Sequence, residues 1–510
     1  MAANKYLLGI DLGTSVCKSV IFDLDGRPLA ITRGEYPIES PHLGWAEHDQ
    51  NIWWSEVSRI IRENLSKAKI SPKDIVGIGC CAMSRGPSLI GKDGRILRKC
   101  IINMDRRTVK QEKWMRENIK FPDRRQLEVP NPTAIKLLWI KENEPDIWRD
   151  TYKIIQPKSF LVWKLTGKFA DEPLDGGMTG MFDRVKGDWS DELLDAYGIP
   201  REKLAEIRKP WDLVGGVTEQ AARDTGLAEG TQVVVGAWDG ACQTYGAGFV
   251  KPGRIMDRTG TVGSLTVAVE KPPESLGVSI IPNITSVSIG SVQTAAVSLR
   301  WTRDQFCELE KIIAERTGVD TYQIMDQEAE KVEPGSGGIF FLPHLLGRSG
   351  LMNRHGLIFG ITLHTRREQI IRAVMEGFGY EIRRGKEINW DAQGVKCGEV
   401  WTNGGGSKSR VWRQIKADIL GLTYCRTNIE ETGCLGAAII AGYGVGVFKD
   451  LVSPIESIVK VVERNEPRPE YKKRYDELFQ AYKKLNETLE NSGIYDDYVK
   501  ALENGGIYPE

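Results

Sequence analysis

Asp239 is the acid whose surroundings could do chemistry. It lies in the stretch VVVGAWDGACQTYGAGFVKPGRIMDRTGTVG, from Val233 to Gly263. An apolar β-branched run, Val233 to Val235, leads into a glycine-flanked turn that presents Asp239, and a short buried strand of this kind suits a carboxylate held at the lip of a pocket. Further on, Thr259 to Gly263 reads TGTVG. Such a Gly/Thr turn suits a phosphate, because backbone N–H groups approach closely and the hydroxyl adds a donor. An acid for a substrate hydroxyl and a cradle for nucleotide phosphates are the minimum parts of a phosphotransferase. Alone, the stretch is better read as a helix-capping Asp239 and an ordinary hairpin at Gly260–Gly263, so the rest of the chain must decide.

The N-terminus repeats the theme. KYLLGIDLGTSVCKSVIFDLDG, from Lys5 to Gly26, reads as strand, turn, returning strand and a second turn at Asp25-Gly26. Asp11 ends the first strand, Gly13, Thr14 and Ser15 form the turn, and Lys18 lies on the return. An acid there could hold Mg²⁺ through water, while Thr14, Ser15 and Lys18 could meet phosphate oxygens; a plain hairpin with a surface lysine is the alternative. Asp257-Arg258-Thr259-Gly260-Thr261 echoes the pattern in the second half, which suggests a duplicated domain with ATP between the halves. GPSLIGK, Gly86 to Lys92, only imitates a P-loop, since Asp93 takes the place of the required Ser/Thr and Lys92 to Arg95 (KDGR) reads as a turn.

These residues need positioning elements. A helix is expected over about Ile52–Ser66 and a buried strand over Asp74–Cys80, which delivers Ser84 and Arg85. Arg85 could hydrogen-bond a polyol hydroxyl with its fork, or form a surface ion pair. Asp105 follows the apolar Ile101-Ile102 and could bind substrate hydroxyls. Asp171 to Asp183 is polar and glycine-rich and could line a sugar pocket. Short helices are expected at Leu193–Leu204 and Glu219–Thr225, and longer amphipathic ones at Thr302–Gly318, Thr321–Lys331 and Glu368–Arg384. A strand at Val400–Asn403 runs into Gly404, Gly405, Gly406 and Ser407, followed by a helix over Arg410–Leu420; this reads as an adenosine seat or as a tight αβ connection. Gly433–Gly442 is a small-residue helix suited to close packing against that seat, and the tail beyond Pro467 reads as helices on the outside.

With 510 residues, two large domains are expected. Charge is balanced at 69 basic and 69 acidic residues with no basic block, which argues against nucleic acid or an anionic membrane as a partner. No apolar run approaches the roughly 20 residues that span a bilayer, and no signal-peptide pattern precedes the first strand, so a cytoplasmic location is expected. Nine scattered cysteines without a CxxC pair, and five histidines without a zinc spacing, suggest neither a disulfide framework nor a zinc site.

Taken together, GIDLGTS (Gly9–Ser15), GWAEHD (Gly44–Asp49), NMDRR (Asn103–Arg107), GAWDGACQTYGAG (Gly236–Gly248), RTGTVG (Arg258–Gly263), GLIFGITLHTRREQIIRAVMEG (Gly356–Gly377) and TNGGGSKSRVWRQIKADILG (Thr402–Gly421) resemble the FGGY carbohydrate kinases over nearly the whole chain. The resemblance implies an α/β fold of two ribonuclease-H-like domains, of the actin, hexokinase and heat-shock-chaperone type, flanking a catalytic cleft. The expected boundaries are 1–248 for a sugar-binding domain, 249–450 for a nucleotide-binding domain and 451–510 for a helical extension. It further implies Asp239 as catalytic base beside substrate and metal, and Asp11 supporting Mg²⁺. Thr14, Ser15 and Lys18 would face the ATP phosphates, Gly260, Thr261 and Gly263 would form the second phosphate loop, and Gly404, Gly405, Gly406 and Ser407 would hold adenosine. Homodimers are frequent in such a family.

The implied substrate is a small sugar or polyol, a pentulose first, bound by Ser84, Arg85, Asp105 and Asp239. Xylulokinases carry Met-His and glycerol kinases Arg-Glu where this chain has Ser84-Arg85. CAMxxG, NxDxR and the segment Arg300 to Cys307 look more like autoinducer-2 kinases, which makes a signalling-molecule kinase the alternative. Chaperone-type and actin-like ATPases of the same fold bind polypeptide or self-assemble, and no appended peptide-binding segment is visible.

Overall fold

The computed structural model describes residues 5–42, 44–121, 129–259, 263–270, 279–281, 284–292, 294–345, 354–389 and 398–505. The chain forms two compact units, Met1–Val250 with Lys271–Thr285 and Glu431–Val459, and Lys251–Glu270 with Ser286–Glu430 and Lys460–Glu510. Among the described residues no helix is long and apolar enough to cross a membrane.

The first unit is built on a mixed sheet ordered Leu213–Gly216, Gln232–Val234, Ile75–Ala82, Tyr6–Leu12, Val16–Asp23, Pro28–Glu35. Tyr6–Leu12 and Ile75–Ala82 are buried almost throughout, as central strands covered on both faces must be. They run parallel, while Val16–Asp23 returns antiparallel and sets Asp11 opposite Lys18 on one side and Cys81 on the other. The helix Gln50–Ala68 begins where the Asp49 side chain accepts from the Asn51 N–H, a side-chain cap on an otherwise unpaired donor. Its inward face, including Trp53, Val57, Ile60 and Ile61, closes the core. The KDGR segment is a hairpin turn, with Gly94 at φ +78° and Asp93 accepting from the Arg95 N–H, as its residue types predict.

The second unit repeats the plan in its sheet order Thr285–Val292, Gly263–Val269, Ile255–Thr259, Val400–Asn403, Tyr424–Thr427, Val461–Asn465. Again the strand that carries an acid, here Asp257, pairs antiparallel with the next strand and parallel with a distant one. The duplication inferred from the two Gly/Thr turns is thus a duplication of sheet topology.

Several elements depart from expectation. Whereas the glycine-rich seat belongs to the second unit, the helix Thr432–Gly444 belongs to the first. It crosses Tyr6–Leu12 and Ile75–Ala82 and packs along Asp239–Gly246. Its small residues serve this crossing, where a Cβ at Gly79 would stand 2.0 Å from the Ala437 carbonyl oxygen. The expected helix Thr302–Gly318 is two helices, Ala295–Phe306 and Glu308–Thr317, broken where Cys307 turns inward at φ −121°, ψ 45°. Leu193–Leu204 likewise divides, because Gly198 ends Asp191–Tyr197 and Pro200 precedes a single 3-10 turn. The tail is not merely external. Pro469–Asn491 buries Tyr475, Phe479 and Tyr482 against Tyr380 of Arg367–Asn389, so its apolar stripe completes the second core.

Candidate active site

Asp239 opens the helix Asp239–Gly246 directly after the two-residue strand Ala237–Trp238, which pairs with the end of Ile75–Ala82. That same strand delivers Ser84 and Arg85. The sheet therefore brings the expected base and the expected sugar loop together within one unit. Arg85 sits at φ +67°, a left-handed conformation uncommon for a branched-chain-free but bulky residue and a frequent mark of functional loops. Its Nη1 donates to the Pro130 carbonyl at 2.6 Å. Burial pulls the guanidinium below its usual value, while Asp239 and then Asp175 push it back up, so both carboxylates share its field. Ser84 Oγ donates to Asp175 Oδ1. Burial, then Asp171, pushes the Asp175 carboxyl well above the usual range. Lys158 Nζ lies 3.1 Å from Asp171 Oδ1. Glu172, pushed up to about 7 by burial, accepts the N–H groups of Leu174, Asp175 and Trp238. That last bond, 3.0 Å long, ties the segment around Asp175 to the residue before Asp239.

Asp11 is buried, and its Oδ1 has no hydrogen-bond partner among the described residues. Burial raises its carboxyl and Lys18 opposes that. Lys18 Nζ is 3.9 Å from Asp11 Oδ2 and 3.1 Å from Glu431 Oε2, and Glu431 also holds Arg33. A side chain at Gly433 would put a Cβ 2.8 Å from Asp11 Oδ2, so the start of Thr432–Gly444 keeps space beside that carboxylate. Thr14 is half-buried and Ser15 exposed in the turn. A buried carboxylate oxygen with no hydrogen-bond partner among the described residues, on a side chain beside the Lys18 ammonium, could supply one oxygen of a Mg²⁺ site. Among the described residues no group of three or more His, Cys, Asp or Glu could hold a metal by itself. Glu431 is absent from the sequence expectations, although its position immediately before the small-residue helix was a usable signal.

Asp105 is fully engaged inside the unit, where the expectation has it on substrate hydroxyls. Oδ2 accepts from the Ala46 N–H at 2.6 Å, and Arg107 binds both oxygens. Arg107 in turn pairs with Glu47 and stacks over Trp45 at 3.5 Å. Asn131 Nδ2 donates to the carbonyls of Asn103 and Asp105. His48 Nδ1 accepts from Trp53 Nε1 at 2.7 Å and is pushed down to about 4 by burial. The GWAEHD and NMDRR motifs thus form a clamp that fixes the loop carrying Asp105.

In the second unit, Gly405 and Gly406 line a cavity of about 460 Å³ together with Thr259, Arg300, Tyr322 and Asp326, a volume within the range of small-molecule sites. Gly404 and Ser407 form the turn behind it, the Ser407 hydroxyl donating back to the Gly404 carbonyl at 2.7 Å. Gly263 starts the strand paired with Thr259; Gly260 and Thr261 lie outside the described residues. Asp257, the echo of Asp11, is fully buried and paired with Lys416. Asp326, which the sequence reading omits, accepts from Ser409 Oγ at 2.8 Å, and burial pushes it up to about 6. Its folded value lies above the ordinary value of about 3.9. The folded chain therefore holds a proton that the unfolded chain releases, and stability falls as pH rises between those values. Asp326→Asn keeps an acceptor for Ser409 and removes the charge. Its melting temperature relative to the parent is expected to climb from pH 4 to pH 6 and then level off; a pH-independent difference would contradict the buried-acid reading.

Two units with this repeated sheet order, an acid at the end of each first strand and a glycine-lined cavity define an α/β protein of the ribonuclease-H-like ATPase fold. Comparison with known proteins gives the family. Residues 6–246 match the N-terminal domain, and residues 286–445 the C-terminal domain, of the FGGY family of carbohydrate kinases. The chain belongs to that family and is a sugar phosphotransferase, a class that uses ATP. It is 31% identical to an autoinducer-2 kinase of Klebsiella pneumoniae subsp. pneumoniae, over 98% of this chain and 96% of that one. The Escherichia coli K12 autoinducer-2 kinase is 30% identical over 99% and 96% of the two chains. Among solved structures, a ligand-bound xylulose kinase from Lactobacillus acidophilus superposes with a TM-score of 0.84 at 23% identity, covering 97% of this chain and all of that one (100%), a likeness of fold.

Proposed function

We propose that the protein transfers the γ-phosphoryl group of ATP to a hydroxyl of a small open-chain sugar or polyol, a pentulose in the first instance. Asp239 takes the hydroxyl proton as the oxygen attacks phosphorus. Ser84 and Arg85 orient the acceptor, and Asp105 holds the neighbouring loop through Arg107 and Ala46. Asp11 is the protein's contribution to a Mg²⁺ site, with Thr14, Ser15 and Lys18 toward the phosphates. Bound there, Mg²⁺ would offset charge on the phosphate oxygens. The glycine turn Gly404–Ser407, with Gly263, Gly260 and Thr261, serves the nucleotide. The reading includes a cytoplasmic location and, as in many members of the family, a homodimer.

The observation that carries this reading is the convergence of Asp239, Arg85, Ser84 and Asp175 in one unit. A second reading, phosphorylation of autoinducer-2, is favoured by the full-length similarity to kinases of that name and by Ser84-Arg85 in place of the xylulokinase Met-His pair. ADP release from MgATP across D-xylulose, D- and L-ribulose, xylitol, glycerol, gluconate and the autoinducer-2 precursor separates the two. A dominant response to a pentulose supports the first reading and a response confined to the autoinducer precursor the second. Silence across all of them with ATP bound would contradict both.

Arg85→Lys gives a direct check on the sugar loop. Lysine retains the charge and loses the fork, at the same backbone conformation. The KM for the preferred acceptor is expected to rise about tenfold, roughly one lost charge-assisted hydrogen bond, with the KM for ATP unchanged. Equal effects on both KM values would argue against an acceptor contact.

A further inference from the structure

We propose that Asp175 is a substrate-binding residue that, with Ser84 and Arg85, takes one non-reacting hydroxyl of the acceptor and so sets which polyol is phosphorylated. The proposal rests on the kinase reading above and names a residue that neither the motifs nor the comparisons assign.

The carboxylates around Asp175 differ in how they are used. Glu172 is consumed by three backbone N–H groups, and Asp171 by Lys158 and the Glu172 N–H. Among the described residues, the Asp175 carboxyl has Ser84 alone as hydrogen-bond partner, on Oδ1. Its Oδ2 is buried with no hydrogen-bond partner among the described residues, although the residue is 0% exposed. Arg85 feels both Asp239 and Asp175, and its Nε is also buried without a partner among the described residues. A buried acceptor and a buried donor are thus both left open, on two side chains that interact with each other, one of which also feels the expected catalytic base.

Leaving either bare is costly, so a ligand group that completes them is favoured. A hydroxyl meets both needs, since it donates to one partner and accepts from another. It also suits Asp175 in either protonation state, donating to a carboxylate or accepting from a carboxylic acid. A carbonyl or a phosphate oxygen can do only half of this. A site built to bond a hydroxyl discriminates strongly against analogues that lack it, because its own polar groups are then stranded.

The test uses the full-length protein and its near-isosteric variant Asp175→Asn. D-xylulose, D-ribulose, L-ribulose and xylitol, with available mono-deoxy forms of each, are measured as phosphoryl acceptors and by titration calorimetry. The expected result is a roughly 100-fold rise in KM for the preferred polyol with the KM for ATP unchanged. One mono-deoxy analogue should bind the parent much more weakly than the polyol does, and the variant should lose that discrimination. A purely structural role would lower activity on all acceptors alike and leave the deoxy penalty intact, which would overturn the proposal while the kinase reading stands. If the parent binds a polyol through Asp175 yet phosphorylates none, the kinase reading fails on its substrate and the binding assignment survives. Absence of binding to every polyol overturns the proposal. If Asp175→Asn does not fold, Ser84→Ala replaces it, with an expected tenfold loss of affinity and the same loss of discrimination; an unchanged Ser84→Ala would count against the proposal.

Discussion

Asp239→Asn is expected to lower kcat for phosphoryl transfer by about 10³-fold, within the range of a lost general base, while nucleotide binding and melting temperature stay close to the parent's. The structural ground is the position of the residue. Asp239 is the first residue of its helix and half-buried, so its carboxylate belongs to the site rather than the core, and asparagine preserves its shape and its hydrogen bond with the Gly240 N–H. The side chain stands in the first turn, where a negative charge is favoured, so the variant loses only a modest stabilising term. The measurement is a coupled assay with the best acceptor, beside nucleotide titration of the same sample. A variant that kept more than a tenth of the parental kcat would remove Asp239 from the role of base.

Lys416→Met is expected to act on stability instead, at a cost of about 3–5 kcal/mol, the usual penalty for stripping one partner from a buried ion pair. Lys416 and Asp257 are both fully buried, and the ammonium also donates to Thr259 Oγ1 at 3.1 Å. Burial pulls the lysine below its usual value and Asp257 pulls it back. Removing the lysine leaves Asp257 without its cation at the centre of the second sheet. Thr259 and Trp412 line the cavity that includes Gly405 and Gly406, so ATP affinity should fall with stability. The melting temperature is expected to drop by on the order of 10 °C. The double variant Lys416→Met with Asp257→Asn should recover much of the loss, because a neutral pair has no stranded charge. Equal melting of the single and double variants would show that the pair is not the source.

The elements that a local pattern dictates were legible in the sequence. Arg410–Leu420 and Glu219–Thr225 fall where periodicity and flanking glycines put them, and Ile371, Val374, Phe378 and Ile382 all face the core of their helix. The acids at strand ends were also legible, because a short apolar run followed by Asp and Gly has few other meanings. What the local pattern lacks is partner identity. Asp11 and Asp257 look alike in sequence, yet one has an oxygen without a hydrogen-bond partner among the described residues and the other is paired with Lys416 from a helix about 160 residues away. Asp105 looked open because Ala46, whose N–H it accepts, lies 59 residues away and meets it only in the fold. Gly433–Gly442 was recognisable as a close-packing helix, but composition says nothing of which sheet it crosses. Cys307 breaks a pattern whose apolar stripe continues through it, so the break was invisible to periodicity. Asp326 was hidden for the same reason, as was the singling out of Asp175 within the polar segment Asp171 to Asp183. Each is an ordinary acid whose significance lies in burial and in the groups it faces.

The central claim is that the phosphoryl group goes to a carbon-bound hydroxyl rather than to water or to a protein client. Phosphorus NMR of the full-length protein turning over MgATP with the best acceptor tests it most directly. A phosphomonoester resonance of the sugar is expected to rise in step with ADP, with little inorganic phosphate and near silence when the acceptor is omitted. Inorganic phosphate as the sole product, formed at the same rate with or without sugar, would contradict it.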